Sequence, residues 1–213
     1  GAAMLELYSK EGVLGIEYNL TGKLEGRVMV DLPGEFSVHN SLAAIAVAYE
    51  MGVPFEDIKD ILTRVKVRGR VEMIPVSNEF TVMIDYAHNA MALESLLLAL
   101  KAYKPKRLVS LFGCGGNRSK DRRFEMGEVS GNMADLTIIT SDNPRFENPQ
   151  DIIDDIKVGI GKTTGEYVEI LDRKEAMRYA IMNGRPGDVI VFAGKGHEDY
   201  QEIEGVKHSM DER

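Results

Sequence analysis

A single cysteine, Cys114, stands in 213 residues. That excludes an intrachain disulfide and suits a reducing compartment. Basic residues are outnumbered: 26 Lys and Arg against 34 Asp and Glu give a formal net charge of -8. General binding to nucleic acid or to an anionic membrane wants a basic face, so neither is expected. No apolar run approaches the roughly 18 residues of a membrane span, and no signal peptide is visible; a cytoplasmic setting is expected. His39, His88, His197 and His208 are scattered with no HxxxH or Cys/His spacing, so no metal site is expected. Cys114 has no base beside it in sequence and is a poor candidate nucleophile. Low-complexity tracts and internal repeats are missing as well. What remains, 44% hydrophobic and 28% charged, is the composition of a globular chain able to bury a core. Residues 1–3 read as a tag remnant ahead of a native start inside a longer protein, and are left out of the fold expectation.

The most informative stretch is Leu108 to Arg145. Leu108–Phe112 is a short apolar run of β-formers, hence a buried strand. It enters Gly113-Cys114-Gly115-Gly116-Asn117-Arg118, where three glycines permit backbone angles closed to other residues. A helical pattern follows over 122–133, then a second buried strand over 136–140. That strand ends in Ser141-Asp142-Asn143-Pro144-Arg145, an abrupt polar turn. Strand, loop, helix, strand, loop is the unit of a parallel sheet, and such units place both loops on one rim, where open α/β sheets bind ligands.

Before this stretch, 5–9, 13–18 and 27–30 read as strands of a small antiparallel sheet, with alternation too poor for a core. Helices follow over 38–51, with Leu42, Ile45, Ala46 and Tyr49 as its apolar face, and over 55–64, with Ile58, Ile61 and Leu62 inward. Asn40 either caps the first helix or offers an amide to a ligand. The basic, aperiodic 66–70 marks a domain boundary. Strands are then expected over 71–75, 80–84, 166–170 and 188–192, with helices over 90–103, 149–158 and 174–182.

Four buried runs thus end in polar loops, at Asp85, Gly113, Ser141 and Gly194. If the strands are parallel, these loops share an edge carrying Arg118, Lys120, Arg122, Arg123, Arg145 and Lys195 against Asp142, Glu198 and Asp199. Such an edge fits a ligand with carboxylates or phosphates together with an amine, since the arginine fork donates two parallel hydrogen bonds to a carboxylate. Two motifs are decoys. The Gly113 loop imitates a dinucleotide fingerprint but has Arg118 where the third glycine belongs. Gly161-Lys162-Thr163-Thr164 imitates a P-loop, yet Ile156 replaces the leading glycine and a helix precedes it.

In these loops the chain resembles the Mur ligases of peptidoglycan synthesis. The likeness runs in order through LPGEFSVHNSLAA, GRVEMI, VMIDYAH, LFGCGGNRSKDRR, SDNPR and GKGHEDYQ, and is strongest to the MurE type, which adds the third residue of the peptide. The resemblance implies an α/β fold: a Rossmann-like, mostly parallel sheet flanked by helices over 69–213, the amino-acid-binding carboxyl-terminal domain. Residues 1–68 would be the tail of the central ATPase domain, whose P-loop and carbamylated lysine lie outside this chain. The implied reaction uses ATP and Mg2+ to phosphorylate the glutamyl carboxylate of UDP-MurNAc-L-Ala-D-Glu. The amine of meso-diaminopimelate then attacks the acyl phosphate, giving a peptide bond, ADP and phosphate.

Carried over by motif, Asn40 resembles the adenine contact, and Arg70, Asp85 and His88 fall among the nucleotide contacts. Arg118 resembles the arginine that grips the amino acid. Asp142, Asn143, Pro144 and Arg145 match the motif that takes diaminopimelate in preference to lysine; Gly194 and Glu198 match contacts to the far end of that substrate. The resemblance assigns no catalytic residue and no metal ligand to this chain, and implies a monomer that catalyses nothing alone. Asn89-Ala90-Met91 replaces the family's Thr-Pro-Asp, which bears on the ribose side and on His88. The alternatives are a ligase of the same superfamily adding lysine or another amino acid, a dinucleotide-binding oxidoreductase fragment built on the Gly113 loop, and a non-catalytic binding module.

Overall fold

The computed structural model describes residues 1–213. They divide into two compact units, Gly1–Val67 and Arg68–Arg213. Each is described by itself.

In the first unit, β1 (Ala2–Lys10), β2 (Val13–Leu20) and β3 (Gly26–Val30) form an antiparallel sheet in that order. Two expectations are corrected. Ala2 and Ala3 pair with Leu20 and Asn19, so the opening residues belong to the sheet. The sheet also carries a core: Ile16, Tyr18, Leu20, Val28 and Val30 pack on Val38, Ile45, Ile58 and Leu62. Ile16, Tyr18 and Leu20 alternate with Glu17 and Asn19, the period-two signature of a strand with one buried face. The irregularity lies in β1, where Leu5 and Leu7 stay exposed.

Helix α1 (Phe36–Glu50) turns Ser37, Val38, Ser41 and Ile45 inward, not Ala46 and Tyr49. Ser41 is drawn in by a 2.8 Å hydrogen bond with the Tyr18 hydroxyl, so the buried stripe is partly polar and escapes an apolar count. Helix α2 (Phe55–Leu62) buries Ile58 and Leu62, four residues apart on one face, while Ile61 is 56% exposed.

The second unit is built on a six-stranded sheet of β4 (Glu72–Ile74), β5 (Thr81–Asp85), β6 (Arg107–Phe112), β7 (Leu136–Ile139), β8 (Tyr167–Glu169) and β9 (Asp188–Ala193). Their spatial order is β4-β5-β9-β6-β7-β8. Only β4 is antiparallel to its neighbour; every other pairing is parallel. Both faces are covered, which is why these strands read as unbroken apolar runs. Val82, Ile84, Val109, Leu111, Ile190 and Phe192 pack with Ala176 and Ala180 of α6 (Arg173–Met182). The alternate residues Met83, Leu108, Phe112, Val189 and Val191 are buried too.

Helices α3 (Ala90–Lys101), α4 (Lys120–Met133) and α5 (Pro149–Ile160) complete the layers. The last two pack almost backbone to backbone. A Cβ on Gly159 would lie 1.9 Å from the Phe124 carbonyl oxygen, and one on Gly127 2.2 Å from that of Ile156. Asn89, Asn148 and Asp172 cap α3, α5 and α6 by accepting from the amides of Ala92, Gln150 and Glu175. Asn89 thus has a helix-starting task.

A hairpin of β10 (Tyr200–Ile203) and β11 (Val206–Ser209) closes the chain, unanticipated above because its residues are mostly exposed. Its Glu202 carbonyl accepts from the Arg145 amide at 3.0 Å, and its Glu204 amide donates back to the Arg145 carbonyl at 2.7 Å.

Candidate functional site

The carboxyl ends of β5, β6, β7 and β9 lie along one edge of the sheet, as their parallel pairing requires. Their loops surround a cleft of about 370 Å³. Of the residues singled out from sequence, His88, Arg118, Arg122, Asp142, Asn143, Arg145, Gly194 and Glu198 line it, joined by Tyr86 and Gly115.

The glycines after β6 work by size rather than by the backbone freedom they permit. None of Gly113, Gly115 and Gly116 has a positive φ; the left-handed residue of the loop is Asn117, at φ 54. A Cβ on Gly113 would fall 2.3 Å from the Thr140 carbonyl oxygen, and one on Gly116 1.9 Å from that of Pro144. The two loops therefore touch backbone to backbone, sealed by a 2.8 Å bond from the Gly116 amide to the Asn143 carbonyl. Glu147, beyond the second loop, accepts from the Asn117 amide.

The cleft has two charged poles. The basic one comprises Arg118 (exposed), Arg122 (half-buried) and Arg145 (half-buried). No carboxylate pairs with Arg118 or Arg122. Arg145 is partly committed: Nη1 donates to the Gly116 carbonyl at 2.7 Å and Nε to Glu202 Oε2 at 3.3 Å. Of its five N–H donors the second on Nη1 and both on Nη2 stay uncommitted, while the Nε edge of the fork is taken by Glu202.

The acidic pole is Asp142 and Glu198, with Asn143 between them. Asp142 and Asn143 are 8% and 6% exposed, so the turn read as an abrupt polar loop is in fact buried. Lys195, expected as a cation of the edge, is 0% exposed. Its Nζ donates to Asp142 Oδ1 at 3.3 Å, Asn143 Oδ1 at 3.1 Å and Glu198 Oε2 at 3.2 Å. Asn143 Nδ2 donates to the same Glu198 oxygen at 2.9 Å. Arg123 is likewise withdrawn: it is 1% exposed and ion-paired with Glu147 and Asp155, both at 2.9 Å. Lys120 reaches Asp155, and Asp199 does not line the cleft.

Beneath the edge, Arg173 bridges the ends of β7 and β9. It donates to the Ala193 carbonyl at 2.9 Å and the Ser141 carbonyl at 3.4 Å, and pairs with buried Glu212 at 2.6 Å. Burial pushes the Glu212 carboxyl above its ordinary range, against the opposing pull of Arg173. This clasp was not read from sequence; a basic first residue of a helix carries no signal that it will be buried.

The remaining sequence candidates lie elsewhere. Asp85 is 9% exposed, and its two oxygens accept from the amides of Val71 and Ala87 at 2.9 and 2.8 Å. Burial raises its pKa, the two amides and Arg70 countering. It serves the backbone at the end of β5. Arg70 is exposed, 5.0 Å over the Tyr86 ring, which also packs on His88. Pro144 is buried against Gly116 without lining the cleft. Asn40 is exposed in the first unit, inside α1 and not at its cap; the position before the helix is Glu35. Cys114 is buried, and burial together with Asp142 raises its thiol to about 12. Lys162 follows the end of α5 and pairs with Glu128. No group of three or more His, Cys, Asp and Glu is placed to hold a metal ion. No helix is long and apolar enough to cross a membrane.

Fold and cleft together define an open-sheet α/β protein of the ligand-binding class, with its site beyond the carboxyl ends of the strands. Residues 69–196 match the family model described as Mur ligase, glutamate ligase domain, and the chain belongs to that family. It is 48% identical over 186 residues to the UDP-N-acetylmuramoyl-L-alanyl-D-glutamate–2,6-diaminopimelate ligase of Caldanaerobacter subterraneus subsp. tengcongensis, covering 87% of this chain and 39% of that protein. The ligase of the same name from Thermosynechococcus vestitus is 42% identical over 209 residues, covering 97% and 41%. A solved structure of a ligase so named superposes with a TM-score of 0.73 at 35% identity, over 97% of this chain and 42% of that one. Folylpolyglutamate synthase of Thermotoga maritima shares the fold, with a TM-score of 0.64 at 22% identity over 88% and 42%. The chain therefore spans 39–42% of the length of these relatives.

Proposed function

We propose that this chain is the acceptor-binding part of an ADP-forming ligase that joins meso-diaminopimelate to UDP-MurNAc-L-Ala-D-Glu. Residues 69–213 are then its amino-acid-binding domain and 1–68 the tail of its central domain. The single observation that carries the reading is the cleft with opposite poles, in a chain whose relatives bear that ligase's name. Diaminopimelate has an ammonium and a carboxylate at each end. Arg118 and Arg145 suit its carboxylates; Asp142 and Glu198 suit the ammonium of the far end, with Gly194 leaving room beside Asp142. A lysine side chain would leave Arg145 without its carboxylate.

Holding both ends fixes the near amine in position to attack an activated glutamyl carbonyl, the entropic part of such catalysis. ATP with Mg2+ supplies that activation when bound, through an acyl phosphate. The residues here fit the nucleotide only at its margin: Arg70 and His88 are exposed and free to meet it, whereas Asp85 is spent on the backbone. The acidic balance of the chain fits a role without a nucleic-acid or anionic-membrane partner, and a cytoplasmic monomer is part of the same proposal.

The test is isothermal titration of the chain with meso-diaminopimelate and with L-lysine. Diaminopimelate should bind more tightly, and the chain given ATP, Mg2+, dipeptide precursor and diaminopimelate should release no ADP. Equal affinities would overturn the acceptor assignment.

A further inference from the structure

The buried ammonium of Lys195 has no place in the binding scheme above, since it cannot touch a ligand in the cleft. It is 0% exposed, yet three acidic-pole side chains converge on it within 3.1–3.3 Å. Its placement follows from its neighbours: Gly194 at φ 112 and Gly196 at φ 54 fold the end of β9 so that the side chain runs back under the β7 loop.

The consequence concerns which oxygens remain. Lys195 engages Asp142 Oδ1 and Glu198 Oε2, and Asn143 Nδ2 adds a second bond to that Glu198 oxygen. Asp142 Oδ2 and Glu198 Oε1 are left as the uncommitted acceptors of the pole. Two carboxylates against one ammonium also leave a single net negative charge, the complement of one ligand ammonium. We infer that Lys195 is a positioning residue for the amine: it holds two like-charged carboxylates together in the fold, aiming one free oxygen of each at the same ammonium. The inference rests on the acceptor reading proposed above and names the residue that organises its acidic pole.

Coulomb attraction alone predicts the opposite effect of removing the lysine, because a pole with two net negative charges should attract an ammonium more strongly. Positioning predicts weaker binding, since the carboxylates lose their shared donor and repel one another. The two views are separable with Lys195→Met, which keeps the length and apolar bulk of the chain. Lys195→Ala leaves a hole of the right size for a small amine.

Isothermal titration of the whole chain would compare diaminopimelate with pimelate, which has both carboxylates and neither amine; NMR shift titration would follow the weaker ligand. Lys195→Met should bind diaminopimelate about tenfold more weakly or worse, with pimelate changed less than about twofold. Methylammonium added to Lys195→Ala should recover most of the lost affinity, and methanol should not. Should the methionine variant fail to fold, the alanine variant with methylammonium carries the test. Tighter or unchanged diaminopimelate binding, an equal loss for both ligands, or rescue by methanol as good as by methylammonium would overturn the inference. A native chain that does not bind diaminopimelate would instead remove the acceptor reading beneath it.

Discussion

Arg145→Ala measures how much of a preference for a second carboxylate rests on one guanidinium. One Nη1 hydrogen is held by the Gly116 carbonyl and the Nε hydrogen by Glu202, leaving Nη2 as the nitrogen wholly free for a ligand. One charge-assisted hydrogen bond contributes about 1.5–3 kcal/mol, or roughly ten- to a hundredfold in Kd. Truncation does more than delete that bond: it strips a donor from the Gly116 carbonyl and leaves the backbone at φ 54, a conformation that disfavours a Cβ by roughly 1 kcal/mol. Arg145→Gly separates the two effects, because it removes the same guanidinium and relaxes the backbone. Both variants should lose diaminopimelate affinity alike in isothermal titration, while the glycine variant melts out in urea about 1 kcal/mol later than the alanine variant. L-Lysine, without the second carboxylate, should lose no more than about threefold in either. Equal losses for diaminopimelate and lysine would refute the reasoning, and equal stabilities would refute the account of the backbone.

Gly159→Ala should cost about 3 kcal/mol in urea unfolding, the upper end for overpacking, because the new methyl meets the Phe124 carbonyl and not a movable side chain; a loss below about 1 kcal/mol would mean that α4 and α5 can part easily. Arg173→Ala should cost about 3–5 kcal/mol by stranding Glu212 and two strand-end carbonyls, read by the same assay. Cys114, raised to about 12 by burial, should resist a thiol reagent at pH 8 in the native chain and react on unfolding. Its folded pKa exceeds the unfolded 9.0, so its contribution to stability is complete below pH 9 and is lost as pH rises toward 12. At the acid end, the hydrogen bond from Arg123 holds Glu147 below its ordinary range, and that from Lys157 does the same for Glu169. Their contribution is present above the unfolded value of 4.5 and lost as pH falls below it, and Arg123→Met should flatten that fall in the urea midpoint.

The strands of the second unit were legible because burial on both faces leaves runs such as 108–112 and 188–192 without a polar break, and parallel strands put their loops together wherever they fall in the sheet. Their order was not legible. Nothing local tells β9 to insert between β5 and β6, since pairing of identical-looking apolar runs is settled by packing far apart in the chain. Charge was read by sign and not by depth. Arg118 and Arg122 reach the cleft, whereas Arg123 and Lys195, written in the same alphabet, serve the framework. Signals existed for both: Arg123 falls on the inward stripe with Met126 and Gly127, and Lys195 sits between two glycines after six buried residues. In the first unit, counting apolar letters failed where Ser41 supplied a buried hydroxyl and Ile61 faced outward.

The β10–β11 hairpin contributes no side chain to the cleft, yet Glu202 tethers one arm of Arg145 and the hairpin backbone sets that residue's twist. On the proposed reading, acceptor choice can therefore drift through a surface ribbon. A substitution at Glu202 would hand the guanidinium back a free edge without altering any wall of the pocket, so a comparison restricted to pocket walls would overlook the position that retunes it.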